Sequence, residues 1–251
     1  MAESVAADLR KRILRSEETN VPLPRQDDLL RQYGVSGPSL REALRILEAE
    51  GLITVRRGKF GGAFVHKPSW SQSAYSLALS MQGQGITISD LGESLLVMEP
   101  MCAGACAERI DRDKDLLPAL RENLEETEAC IGDGARYSRA ARAFHDLLVT
   151  GVENLTTRLL VRSMVAIWSV QEELWADTVS SAAQYPGVEH QRESLNTHAT
   201  MLKLVEAGDV DAVTKLAAAH LRATQRIVLE RFGGEVVDAS SLAAVQAFKS
   251  L

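Results

Sequence analysis

Apolar residues recur at helical spacing along most of this chain, and the interruptions mark where predicted helices begin and end. In the run from Leu23 to Val65, two short amphipathic stretches predict helices over 26–33 and 37–49, with a tight turn at Gly34-Val35-Ser36 between them. Two short extended stretches with a Gly-rich bend follow. Two helices joined by a Gly-containing turn and followed by a β-ribbon make a winged helix-turn-helix.

From about residue 73 onward the pattern is helical almost throughout, and Gly-rich breaks divide it into seven predicted helices. These helices cover Ser73–Met81, Ile88–Ile110, Asp113–Ile131, Tyr137–Gly151, Leu155–Asp177, Glu189–Ala207 and Val210–Arg231. We therefore predict a mainly α protein. Its N-terminal part is a winged helix-turn-helix of three helices and a small β-ribbon, and its C-terminal part is an antiparallel bundle of six or seven helices.

The domain boundaries follow from where the periodicity fails. Pro68 and its polar neighbours break the pattern, so we expect a linker over 68–73 between a winged domain over 1–67 and a helical domain over 74–232. Residues 233–251 are expected to form a tail of no predicted structure.

Charge is distributed unevenly between these parts. The net charge is -6, but residues 1–67 hold 12 Lys/Arg against 9 Asp/Glu, and the remainder holds 16 against 25. A basic head on an acidic body is typical of a protein that contacts nucleic acid at one end only. The sequence shows no apolar run of membrane-spanning length, no signal peptide and only three cysteines, so we expect a cytoplasmic protein without disulfides or membrane contact.

The first quarter carries a specific motif set. Its segments are Leu23-Pro24, Gly34-Val35-Ser36, Leu40-Arg41-Glu42-Ala43-Leu44 and Leu47-Glu48-Ala49-Glu50-Gly51-Leu52. With the helical second half, they resemble the GntR family of bacterial transcription regulators. More narrowly, the chain resembles the FadR-type subfamily, whose second half is the ligand-sensing FCD bundle.

Several residues of the winged part have the chemistry to hold DNA. Ser36 can cap the second helix, whose free N–H groups then face a phosphate, and the resemblance places Ser39 and Arg41 at the DNA. A basic tip in the wing suits a narrow, electronegative minor groove. The candidate DNA-binding residues are Ser36, Ser39, Arg41, Arg45, Arg56, Arg57, Gly58 and Lys59. The alternative for Arg41 is a solvated side chain paired with Glu42 or Glu48.

Two departures from the family pattern predict a different operator. Many members carry Arg directly after the Gly-Val-Ser/Thr turn, where this chain has Gly37. Members also often carry a basic residue in the preceding helix, where this chain has Asp27 or Asp28. Those positions commonly serve phosphate and guanine contacts, so fewer direct contacts are expected here.

Three histidines, His145, His198 and His220, fall on inward helical stripes. The resemblance gives them a meaning, because an FCD bundle typically binds a divalent metal through one Asp and three His. All three fit the family spacing, whereas His190 does not, and Ala141 stands where the Asp is expected. The resemblance thus implies three His ligands for Zn²⁺, Ni²⁺ or a similar ion. The alternative is three core histidines bonded to carbonyl groups.

The expected effector pocket also departs from the subfamily. Members often place Arg a few residues before Glu-Pro, where this chain has Leu95 and Leu96. With Trp168 and Ala141 as further pocket candidates, we expect a small-molecule effector with a carboxylate and an apolar body. Cys102 and Cys106 share a helix face and are interpreted as small buried residues, with redox sensing or metal capture as the alternative.

The leading hypothesis is a bacterial transcription repressor without catalytic activity. It binds a palindromic double-stranded operator as a homodimer, is controlled by the effector, and associates with the nucleoid when bound to DNA. One alternative is a DNA-binding dimer with a degenerate, metal-free sensor domain. A metal-dependent hydrolase is disfavoured, because no general base has a recognisable spacing and the winged part would be unexplained.

Overall fold

The computed structural model describes residues 1–56, 58, 61–179 and 187–251, and the side chains of 175–179 and 227 lie outside this description. The chain forms two compact units, Met1–Gln72 and Ser73–Leu251. The elements at the N-terminal end are α1 (Ala2–Arg15), α2 (Gln26–Tyr33), α3 (Gly37–Ala49), β1 (Ile53–Arg56) and β2 (Gly62–Val65). The helices that follow are α4 (Trp70–Gly83), α5 (Ile88–Glu108), α6 (Leu116–Ala129), α7 (Gly134–Thr150), α8 (Leu155–Val179), α9 (Val188–Ala207), α10 (Val210–Phe232) and α11 (Leu242–Ser250).

The N-terminal unit packs around the apolar faces of α1 and α3. Residues spaced three or four apart bury one stripe of each helix, and the charged residues between them stay in solvent. The buried set is Val5, Ala6, Leu9, Ile13, Leu29, Leu40, Ala43, Leu47, Leu52, Ile53 and Val65. The predicted winged helix-turn-helix fold is therefore confirmed.

The wing has a contribution that the sequence pattern did not predict. Strands β1 and β2 pair antiparallel, with Ile53 opposite Val65 and Arg56 opposite Gly62. On the other edge of β2, the segment 20–23 adds backbone hydrogen bonds, in which Leu23 N donates to Ala63 O at 2.7 Å and Val65 N donates to Val21 O at 2.9 Å. Pro22 has no N–H to donate, which suits an edge segment. This segment ties the loop after α1 to the wing.

In the C-terminal unit, α5 and α10 pack very closely because α5 presents glycines to its neighbour. A Cβ built on Gly104 would lie 2.6 Å from Thr214 Oγ1, and one built on Gly92 would lie 3.1 Å from Leu229 Cδ2. Contacts that short leave no room for a side chain at Gly104 and little at Gly92. The close approach brings α10 against the helix that also contacts α7 and α9.

The seven helices predicted for the helical part correspond to α4 to α10 among the described residues. The prediction for the residues after them is corrected. The expected tail holds α11, because Val237, Ala239 and Phe248 are buried. The segment before it bonds to the start of α5, where Ile88 N donates to Glu235 O at 2.8 Å. Two residues of α11, Ala244 and Phe248, are buried, so its apolar stripe is a weaker signal than that of the longer helices.

The expected linker over 68–73 is shorter, since α4 begins at Trp70. Gln72 N donates to Ser69 Oγ at 3.2 Å, and Ser69 N donates to Gln72 Oε1 at 3.4 Å. These reciprocal bonds have the pattern of a capping box, a helix-start signal that apolar periodicity does not show. Helix α6 begins at Leu116, three residues later than expected, where the Asp115 side chain accepts from Leu116 N. No helix in the described part of the chain is long and apolar enough to cross a membrane.

We expect Gly104→Ala to lower the free energy of unfolding by about 1–3 kcal/mol, because the new methyl group meets Thr214 and the packed helices must separate. Gly83→Ala is the matched control, since a Cβ there meets nothing within 4 Å and Ala has the higher helix propensity. Urea unfolding of the full chain measures both changes. Equal stability of the two variants would show that the approach of α5 and α10 tolerates a side chain.

Candidate functional site

The start of α3 is built by serine hydroxyls. Gly34 ends α2 in the left-handed conformation with φ +60°, and Ser36 is the N-cap of α3, where its Oγ accepts from Ser39 N at 3.4 Å. The hydroxyls of Ser36 and Ser39 lie 2.9 Å apart. The first turn of α3 therefore presents two hydroxyls together with the free N–H groups and positive dipole end of a helix.

Arg41 and Arg45 both lie exposed on the solvent side of α3, opposite the buried Leu40 and Leu47. Arg45 Nη1 contacts Glu42 Oε2 at 3.0 Å. Glu48 Oε1 accepts from the backbone N of Val55 at 2.9 Å. Both acidic residues proposed as alternative partners of Arg41 thus bind elsewhere.

The guanidinium of Arg41 lies back along the helix. A Cβ on Gly37 would be 3.4 Å from Arg41 Nη1, so this side chain passes beside the glycine that replaces the usual family arginine.

The structure describes only part of the wing. The Arg56 guanidinium lies 4.5 Å from the centroid of the Phe64 ring, which holds it by a cation–π contact. Gly58 is exposed with φ +112°, a conformation that favours glycine, and its carbonyl accepts from Gly61 N at 2.8 Å. Arg57 and Lys59 lie outside the described residues.

The structure brings three predicted ligands together in the helical unit. His145 comes from α7, His198 from α9 and His220 from α10. The Nε2 atom of His198 lies 3.2 Å from that of His145 and 3.0 Å from that of His220. Stacking at 4.4 Å on Phe144 fixes the ring of His198 in place. Side chains that are 53 and 22 residues apart in the sequence thus meet at one point.

This donor set fits a divalent metal. Nitrogens held at about 2.1 Å on one ion and about 90–100° apart lie about 3.0–3.2 Å from each other. A ring nitrogen carries either one hydrogen or one lone pair, so His198 Nε2 can make a full hydrogen bond to only one of its two neighbours. A shared cation would provide a partner for the buried ring nitrogens that lack a full hydrogen bond.

The electrostatics leave two of the imidazoles neutral. Burial, reinforced by the other two histidines, holds the pKa of His198 well below its ordinary value. Burial and the charge of His145 lower the pKa of His220 to about 3. Neutral imidazoles keep the lone pairs that a metal needs.

Glu99 is a site residue that the sequence analysis did not identify. It is buried in α5, and its Oε1 lies 2.6 Å from His145 Nδ1. Burial alone would lower the pKa of His145, but the charge and hydrogen bond of Glu99 outweigh it, and the pKa is raised. The one available signal was a carboxylate in a largely apolar stretch of α5.

Ala141 lies one turn before His145 on α7, partly buried against a small cluster with Cys130, Tyr137 and Ala140. Its methyl group offers no ligand atom. The set within reach of one ion among the described residues is therefore three histidines.

Besides Ala141 on α7, the predicted pocket residues lie on α5 and α8. Leu95 is buried and Leu96 half-buried. Trp168 is buried, and its ring lies 3.2 Å from the position a Cβ on Gly92 would take. The neighbouring Gln225 is buried, with no partner for either side-chain amide atom.

The two cysteines on α5 are buried, and burial raises the pKa of Cys102 and of Cys106 to about 12. Cys106 Sγ donates to Leu148 O at 3.1 Å. Neutral, enclosed thiols favour the packing interpretation over redox sensing.

Comparison with known proteins agrees with this arrangement. Residues 1–65 match the profile of bacterial regulatory proteins of the gntR family, and residues 90–223 match the FCD domain. The chain is 27% identical over 209 residues to the putative L-lactate dehydrogenase operon regulatory protein of Escherichia coli (strain K12), which covers 81% of this chain and 76% of that protein. It is 25% identical over 214 residues to the galactonate operon transcriptional repressor of the same organism, covering 83% and 88%.

A solved structure, Streptococcus agalactiae GntR, has the same fold, with a TM-score of 0.65 and 21% identity over 90% of this chain and all of that one. The relatives are transcription regulators and not enzymes. A winged N-terminal unit matched by one profile and a helical unit matched by the other lead to one assignment: this chain belongs to the GntR family of bacterial transcription regulators, in the group that carries an FCD ligand-sensing domain.

Proposed function

We propose that this regulator is a cytoplasmic repressor that binds a palindromic operator as a homodimer and releases or retains it according to an effector in the helical domain. The observation that carries the proposal is the pairing of an exposed, capped α3 with a buried three-histidine centre in the same chain. The name of the galactonate operon repressor supports the sign of regulation.

The exposed side of α3 and the wing are the surfaces that we propose bind DNA. Ser36 and Ser39 suit a phosphate at the helix N-terminus, and Arg41, whose expected acidic partners are bound by others, suits a base edge in the major groove. Arg45 suits the phosphate backbone, and the basic wing segment with Arg56, Arg57, Gly58 and Lys59 suits a narrow minor groove. Gly37 removes one contact, so we propose an operator that differs from those of arginine-bearing relatives.

The homodimer is proposed because a single helix-turn-helix is small. One helix-turn-helix contacts few base pairs, so useful affinity needs two half-sites related by a two-fold axis.

The helical domain is proposed to sense its effector at the histidine centre. His145, His198 and His220 would hold a divalent ion such as Zn²⁺ or Ni²⁺, which would supply a Lewis acid able to bind a carboxylate. Two relatives are named for operons of lactate and galactonate, both carboxylic acids. Leu95, Leu96 and Trp168 favour an apolar body on the effector.

A metal-free sensor remains the second candidate, favoured by the single observation that Ala141 replaces a ligand. In that case the domain only dimerises, and metal analysis of the purified protein separates the two.

Arg41→Ala should weaken operator binding by about 1–3 kcal/mol, because a bidentate contact to a base edge is lost. Arg121→Ala is the control, since that arginine lies on α6 in an exposed ion pair with Glu206. Titration of labelled operator at fixed salt measures both. Unchanged affinity for Arg41→Ala would mean that α3 does not read bases.

Light scattering should give twice the chain mass of 27.4 kDa, and a full palindrome should bind far more tightly than one half-site. The physical reason is that the second winged unit binds without a further loss of translational freedom. A monomer that binds half-site and palindrome equally well would contradict the dimer.

Zn²⁺ added to chelator-treated protein should raise its melting temperature, since binding to the folded state alone adds about 2.7 kcal/mol at one hundred times Kd. His198→Ala should abolish the rise. His190→Ala should keep it, because His190 is exposed and lies beside Glu193 instead. A wild-type protein that binds no Zn²⁺, Ni²⁺ or Mn²⁺ would leave the metal-free sensor.

A further inference from the structure

Glu99 and His145 form a contact that the metal site alone does not require. The carboxylate comes from α5 and the imidazole from α7, two helices packed against each other. Glu99 is only 7% exposed, so its charge is largely removed from water. A buried carboxylate is costly unless it is paired, and the pairing here is with one ring nitrogen at 2.6 Å.

This contact decides which nitrogen of His145 faces the centre. The hydrogen that Glu99 accepts sits on Nδ1, so the neutral ring has its lone pair on Nε2. That Nε2 lies 3.2 Å from His198 Nε2. The orientation is therefore the one in which His145 serves as a metal ligand through Nε2.

His198 has no such support. Its Nδ1 is buried and has no hydrogen-bond partner, and its ring is held by stacking on Phe144 instead. Within the described residues, the carboxylate at the centre thus acts through His145.

The charge balance of the histidine centre also indicates a role for Glu99. Three neutral imidazoles around a dication leave two positive charges in a low-dielectric interior, and Ala141 brings none of the negative charge that a carboxylate there would supply. Glu99 provides one negative charge at a distance of one imidazole ring. Two further carboxylates, Asp146 and Glu172, act on His145 through their charge alone, and Glu172 is paired with Arg142 at 2.9 Å.

We propose that Glu99 is the positioning residue of the metal centre: it fixes His145 in the ligating tautomer and supplies the negative charge that the centre lacks at Ala141. The inference rests on the proposed metal binding. It attributes part of the metal affinity to Glu99, a residue that is not itself a ligand. Carboxylate partners of ligating histidines typically change metal affinity by about 10–100-fold.

The test compares Zn²⁺ affinity of full-length variants by competition with a chromophoric chelator. Glu99→Gln keeps the shape and a hydrogen-bond acceptor but removes the charge, and we expect affinity to fall by about 10–100-fold. Glu172→Gln is the matched control, because it removes the same charge from a neighbouring carboxylate that contacts Arg142 instead of a histidine. It should stay within a few-fold of the wild type.

A rescue separates this role from a merely structural one. Ala141→Asp in the Glu99→Gln background adds an oxygen ligand directly, and we expect it to restore most of the lost affinity. The melting temperatures of the metal-free variants should be similar, so that the change lies in binding and not in folding.

Two outcomes overturn the inference while leaving the proposed function intact: Glu99→Gln binds Zn²⁺ like the wild type, or Glu172→Gln weakens it equally. A wild type that binds no metal overturns both. If Glu99→Gln does not fold, ¹H–¹⁵N spectra of the Zn²⁺-loaded wild type decide. A protonated Nδ1 on His145 is expected, and a protonated Nε2 would refute the role of Glu99.

Discussion

The close approach of α5 and α10 controls the geometry of the helical unit. It depends on a missing side chain, because a Cβ on Gly104 would come within 2.6 Å of Thr214 Oγ1. Helix α5 carries Glu99, and α10 carries His220 six residues beyond Thr214. Helix α7, which holds His145, packs against the same α5. The 2.6 Å contact at the centre joins α5 to α7, and the 3.0 Å contact joins α9 to α10, so each involves one helix of this closely packed pair.

Two kinds of buried polar group in this unit differ in how their hydrogen bonds are satisfied. Thr127 and Ser163 donate to backbone carbonyls of their own helices, at 2.7 and 2.8 Å, and so are complete without any ligand. The three histidines instead contact one another, and their hydrogens cannot satisfy every nitrogen. Buried polarity of the second kind is a feature of binding sites, because a ligand supplies the missing partner. This contrast underlies the proposal of a metal centre despite the alanine at position 141.

In the winged unit, by contrast, the candidate functional side chains are exposed to solvent and not enclosed between helices. Its apolar stripes meet inside, while the polar face of α3 holds its own cap and the bond from Val55 N to Glu48 and leaves Arg41 outside the core. Arg41 and Arg45 can therefore serve the proposed contact with DNA without cost to the core. Substitutions at exposed residues of this kind would change the proposed operator more readily than the fold.

Local signals in the sequence determined much of this protein. Gly34 and Ser36 end one helix and begin the next, and the leucine stripe of α3 turns its arginines to solvent, so the winged fold could be predicted from neighbours in the chain. The three histidines could be selected by family spacing together with their inward stripes. Tertiary structure decided what local signals do not contain. Residues 20–23 join β2 across forty residues, α11 forms because Phe248 finds a buried place, and Glu99 meets His145 only when α5 packs on α7. Periodicity reports which face of an element is apolar, whereas the partner of a buried charge depends on which helices the whole chain brings together.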